Sequence, residues 1–130
     1  MIIKTNPDKN KSRSLLKMAD ITLNRLNETD KLKYPSNTLE DYYDIIHKLM
    51  EALTLSDGVK IKGEGAHLEL IDYICKKHGF GQREFLQQLR TYRNRISYEG
   101  FSVKREYVER NEVRINEIIE RLSILVRKKL

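Results

Sequence analysis

The stretch Thr38–Leu55, TLEDYYDIIHKLMEALTL, is the most strongly patterned part of the chain. Its apolar residues Leu39, Tyr42/Tyr43, Ile46, Leu49/Met50 and Leu53 recur every three to four positions, the period of a helix face and not of a strand. Just upstream, Pro35 with Ser36, Asn37 and Thr38 reads as a helix start, since the first turn has no use for the N–H that proline lacks. Asp41, three residues after Thr38, makes a weak capping box. Downstream, Gly58, Gly63 and Gly65 in LSDGVKIKGEG mark the loop in which the helix ends.

Working outward, the same period recurs almost everywhere. Leu16, Ala19, Leu23 and Leu26 form an earlier stripe, flanked by Leu15 and Met18. A shorter helix carries Leu68, Ile71 and Ile74/Cys75 and stops at Gly79. A fourth places Phe85, Leu89, Tyr92 and Ile96 on one side and ends at Gly100, a residue suited to a helix C-cap. A last helix runs from about Lys104, burying Val108, Ile115, Ile118/Ile119, Leu122 and Leu125/Val126. Alternation with period two is absent. The expectation is an all-α fold, a mostly antiparallel bundle of four to five helices in one domain spanning 1–130, with residues 1–11 a flexible lead.

At 130 residues the chain can bury about two thirds of the surface it exposes when unfolded, so a true core is possible. No apolar run is long enough for a membrane span, and Lys4, Asp8, Lys9 and Lys11 interrupt any secretory leader. The single Cys75 rules out an internal disulfide and a cysteine-based zinc site, fits a cytoplasmic setting, and reads as a small core residue. The net charge of +6 is uneven: basic segments 1–27 and 81–130 flank a slightly acidic middle. That distribution suits nucleic acid, an acidic partner or self-association.

Few residues carry candidate chemistry. KGEGAH (Lys62–His67) has a GxG but lacks the Gly-Lys-Ser/Thr of a phosphate loop, and reads as a helix start. Asp44, His47 and Glu51 share one helix flank and could offer ligands to a metal, but Lys48 stands among them, and a solvated or interface face is the default. His67 and His78 each fall near a helix end, where capping or the helix dipole accounts for them. The remaining candidate is YRNRISYEG (Tyr92–Gly100). On a helical wheel Arg93 falls at the edge of the core face, Arg90 and Ser97 further round, and Asn94 and Tyr98 nearly opposite. An asparagine and a tyrosine beside three arginines read either as a solvated helix end with one exposed aromatic or as a second buried surface, a dimer interface or cleft with Arg93 at its rim.

TLEDYYDIIHKLMEALTLSDGVKI, GAHLELIDYI and LRTYRNRISYEGF occur in the order found in the HEPN superfamily of small helical proteins, and residues 12–127 resemble it. The most specific element is Arg93-Asn94, which resembles the opening of that family's Arg-x(4–6)-His motif. The resemblance implies a helical bundle, a homodimer with motif residues of two subunits in a shared cleft, and RNA as the target. It further implies metal-independent endoribonuclease chemistry without a cofactor, in which the 2′-hydroxyl attacks the adjacent phosphate. A toxin paired with a nucleotidyltransferase-type antitoxin is the implied context. By this resemblance Arg93, Asn94 and Tyr98 are the catalytic positions; Arg90, Arg95, Lys104 and Arg105, basic residues close by in the chain, are the expected nucleic-acid contacts. Tyr98, however, stands where the motif has histidine. A free phenol has a pKa of about 10 against about 6.5 for imidazole, so roughly one in a thousand is ionised at neutral pH. The expectation is therefore weak or lost cleavage with the cleft retained. The alternative is a non-catalytic dimerisation or docking module, for example for a minimal nucleotidyltransferase.

Overall fold

The computed structural model describes residues 1–130. In chain order the elements are β1 (Ile2–Lys4), α1 (Lys9–Asn27), α2 (Pro35–Ser56), β2 (Val59–Ile61), α3 (Ala66–Lys77), α4 (Arg83–Glu99) and α5 (Arg105–Lys129). The fold is all-α, as the periodicity predicts, with one minimal sheet attached. No helix is long and apolar enough to cross a membrane.

α2 is the centre of the bundle. Leu39, Tyr42, Tyr43, Ile45, Ile46, Leu49, Met50 and Leu53 are all essentially inaccessible, so this helix is apolar around most of its circumference. A helix of that kind is stable only when neighbours cover every side. α1 and α5 provide the most extensive covers, and α3 and α4 close the rest. Each fully buried Leu, Ile or Met contributes about 1.5–3 kcal/mol. α1 approaches α2 closely through Ser12, Ala19 and Thr22, and Ser12 Oγ donates to the Ala52 carbonyl at 2.7 Å while accepting from Ser56 Oγ at 2.9 Å.

Three expectations need correction. Residues 1–11 are not merely a lead: Ile2–Lys4 pair antiparallel with Val59–Ile61, and α1 already begins at Lys9 behind an Asp8 cap whose side chain accepts from Lys11 N–H. Thr38 does not cap α2. Pro35 takes the first helical position, Thr38 is buried in the first turn with its hydroxyl on the Lys31 carbonyl, and Asp41 pairs with Arg25. Leu68, expected in the core, is exposed, and Leu70 packs inward in its place. The turn after α2 needs glycine at 58. Its φ is +74°, and a Cβ there would lie 2.8 Å from the Thr5 carbonyl oxygen of the incoming strand.

Candidate functional site

α4 brings the stretch Tyr92–Gly100 to the surface in a defined pose. Phe85, Leu86 and Leu89 are buried and seat the first half of the helix, whereas Tyr92 and Ile96 are only half-covered. Gly100, at φ +67°, closes the helix. With this apolar edge turned inward, Arg90, Arg93, Asn94 and Tyr98 face the first turn of α3 across a cavity of about 270 Å³. Tyr98 lies at its outer rim, 79 % exposed.

The charges in this groove are uncommitted. Arg90 donates only to Gln87 Oε1, at 2.8 Å, and Arg93 has no ion-pair partner. The carboxylates on its other side are engaged elsewhere: Glu40 accepts from Ser97 Oγ at 2.8 Å, Asp41 holds Arg25 at 2.8 Å and Asp44 holds Lys48 at 2.5 Å. Three of the expected nucleic-acid contacts lie apart from this groove. Arg95 stacks on Phe101 at 4.0 Å and faces Glu99, Arg105 pairs with Glu109 at 3.0 Å, and Lys104 borders a separate depression beside Tyr107.

The sequence reading missed His67. Second residue of α3, it lines the groove with Arg90, Arg93, Asn94 and Tyr98. Its ring stacks on His47 with centroids 4.2 Å apart and planes 18° from parallel, and Tyr43 lies alongside both rings at 6.2 and 6.5 Å. His47 is thus no solvated flank residue; its side chain is 18 % exposed, and Nδ1 lies 3.1 Å from Glu51 Oε1. Asp44, His47 and Glu51 do not converge as metal ligands would.

Burial, reinforced by the neighbouring His67, pushes the pKa of His47 down to about 4. Burial also lowers His67, helped by Arg93 and Arg90, so both rings are neutral at pH 7 and each keeps a nitrogen lone pair. Burial pushes the Tyr43 phenol up to about 12 although Arg90 and Arg93 pull the other way, and its buried hydroxyl has no hydrogen-bond partner. Beyond His67 lies a second cavity of about 420 Å³, bordered by Lys11, Lys60, Lys62, His47 and Glu51. Such a site can hold a phosphate on its guanidinium groups, stack a planar ring, and accept a proton on imidazole. Comparison with protein-family models, with curated proteins and with solved structures finds no match to this chain.

Proposed function

We propose that the chain is an RNA-directed module of the HEPN kind, acting as a homodimer around the Arg93/Asn94/Tyr98 groove and binding RNA better than it cuts. The observation that carries this reading is the pair Arg90 and Arg93, neither of them ion-paired with a carboxylate, in one cavity with Asn94, Tyr98 and a neutral imidazole. In that reading the guanidinium groups neutralise a phosphate, and Asn94 and Tyr98 orient it by hydrogen bonds. Cleavage is weak because the position of the motif histidine is held by a phenol, and the imidazole present comes from another helix.

RNA binding measured over a salt series with EDTA present tests the reading. Affinity should fall as salt rises and drop about tenfold or more in Arg93→Ala, with the fold retained. Arg93→Ala binding as tightly as wild type would sink it. Any residual cleavage should persist in EDTA and leave cyclic phosphate ends. A second reading, a docking surface for a protein such as a nucleotidyltransferase, draws on the exposed apolar surface of Leu68 and Tyr98 at the same rim. It requires salt-insensitive association with that partner on co-expression, and no RNA binding.

A further inference from the structure

We infer that the cavity between α1, α2, β2 and α3 is a second nucleotide seat, continuous with the Arg93 groove across His67, so that single-stranded RNA threads both. The inference rests on the RNA-directed reading of the Arg93 groove and extends it to residues outside the α4 motif.

Three lysines from separate elements converge on the cavity: Lys11 from the first turns of α1, Lys60 from β2, and Lys62 just beyond it. None is paired with a carboxylate, although ten charged contacts occur elsewhere in the chain. The one acidic group at the cavity, Glu51, is turned onto His47, and burial holds its carboxyl above the usual range. The lysine backbone is held firmly: Lys60 pairs with Ile3 across the sheet, and the Lys62 carbonyl accepts from the Met1 ammonium at 2.8 Å. Val59, Ile61 and Leu70 add apolar edges to the same lining, and the stacked His47 and His67 rings border it. Cations together with planar rings and apolar groups in one recess complement the two parts of a nucleotide, a phosphate and a base.

Ala66 and His67 border both cavities, so a strand that places one phosphate at Arg90 and Arg93 has its neighbour directed toward the lysines. Duplex does not fit this demand, since recesses of this kind read bases that are already unstacked. An acidic peptide would satisfy the lysines but leave the rings without a stacking partner.

The test uses fluorescence anisotropy of a labelled single-stranded RNA of about 12 nucleotides. It compares wild type, Arg93→Ala, His67→Ala and the triple variant Lys11→Ala/Lys60→Ala/Lys62→Ala, each checked for retained helicity. The triple variant should lose about tenfold in affinity at physiological salt, and its slope of log affinity against log salt should fall by about 2, near 0.7 for each phosphate contact removed. His67→Ala should weaken binding with the slope kept, because it removes a stacking surface and not a charge. If Arg93→Ala weakens RNA binding and the triple variant does not, the second seat is overturned and the RNA reading stands. If wild type fails to bind RNA, both fall. Displacement by polyglutamate at equal charge would show a general polyanion surface and overturn the seat. Displacement by AMP at equal phosphate would make it a site for free nucleotide and overturn the continuous path.

Discussion

Two polar clusters flank the same central helix, and they differ in how their groups are paired. At the C-terminal end of α2 the Asp57 side chain is almost fully buried, Oδ2 is hydrogen-bonded, and Oδ1 has an ion contact in place of an aligned hydrogen bond. His78 Nε2 lies 2.9 Å from Oδ2, the Tyr73 hydroxyl donates to Oδ2 at 3.3 Å, and Lys129 Nζ reaches Oδ1 at 2.7 Å. Burial would raise the Asp57 carboxyl, but the Lys129 and His78 contacts outweigh it and hold it below the usual range. Halfway along α2 the situation is reversed: Arg93 has no counter-ion, Tyr43 no hydrogen-bond partner, and two imidazoles are held neutral. A closed cluster of this type ties three helices together. An open one costs stability unless something from outside completes it.

The largest expected effect breaks the closed cluster. Asp57→Ala leaves Lys129, His78 and Tyr73 without their acceptor and should cost about 3–5 kcal/mol in urea unfolding. RNA affinity, measured where the variant is folded, should not change. A loss below about 1 kcal/mol would mean that α5 is held by its apolar face alone.

Acid probes the open cluster next. His47 stays neutral in the fold down to about pH 4, whereas in the unfolded chain it takes a proton near 6.5. Between those values the unfolded state binds more protons, so stability falls as pH falls, by about 3 kcal/mol for this residue. Tyr43 on its own helix, His67 on α3 and Arg93 on α4 face the same ring, with Asp44, Lys48 and Glu51 beside it. His67, also lowered, adds to the loss, and Glu51, with its raised pKa, opposes it. The difference between wild type and His47→Gln isolates the His47 share. Equal pH profiles for the two would show that His47 is freely protonated in the fold. Asp57, held below its unfolded value, gives up its contribution as pH falls from that unfolded value, about 3.9, toward the lower folded one, at the acid end of this window and beyond it.

How much of this was open to a reader of the chain depends on sequence distance. The existence of α2 and its apolar stripe, the inward edge of α4 and the Gly100 cap follow from periods and turn chemistry that act within a few residues, whereas the all-round burial of α2 depends on its neighbours. The i,i+4 pairing of Arg105 with Glu109, which removes that arginine from the groove, was equally local. The sheet was not: each strand is three residues long, too short for an alternating pattern, and its partner lies at the far end of α2. Nor was His67, which is 26 positions before Arg93 and reaches it only because α3 doubles back across α2 and α4. The wheel placed Tyr98 outward, which the structure agrees with, but it also turned His47 outward, and the packing of α3 buries it.

Arg93→Ala is the next step down in size. The residue has no partner to orphan, so stability should stay within about 0.5 kcal/mol of wild type. RNA affinity should fall about tenfold or more, which is about 1.4 kcal/mol or greater. Together with Asp57→Ala this gives a crossed pair, one variant altering stability without binding and the other binding without stability. A destabilised Arg93→Ala would make the open cluster structural after all.

The smallest effect has the opposite sign. Tyr43→Phe removes a hydroxyl that is buried and unpartnered while leaving the ring that packs beside His47 and His67. In a site that exists only for packing, deleting an unsatisfied group is a pure gain, about 1 kcal/mol of added stability by thermal or urea unfolding. The hydroxyl does not line the groove of Arg90 and Arg93, so its removal should leave RNA affinity where it is. A more stable protein that binds RNA equally well is therefore the expected outcome. Greater stability with weakened binding would instead show that RNA opens a path to the Tyr43 hydroxyl and would add it to the open cluster beside the arginines and imidazoles.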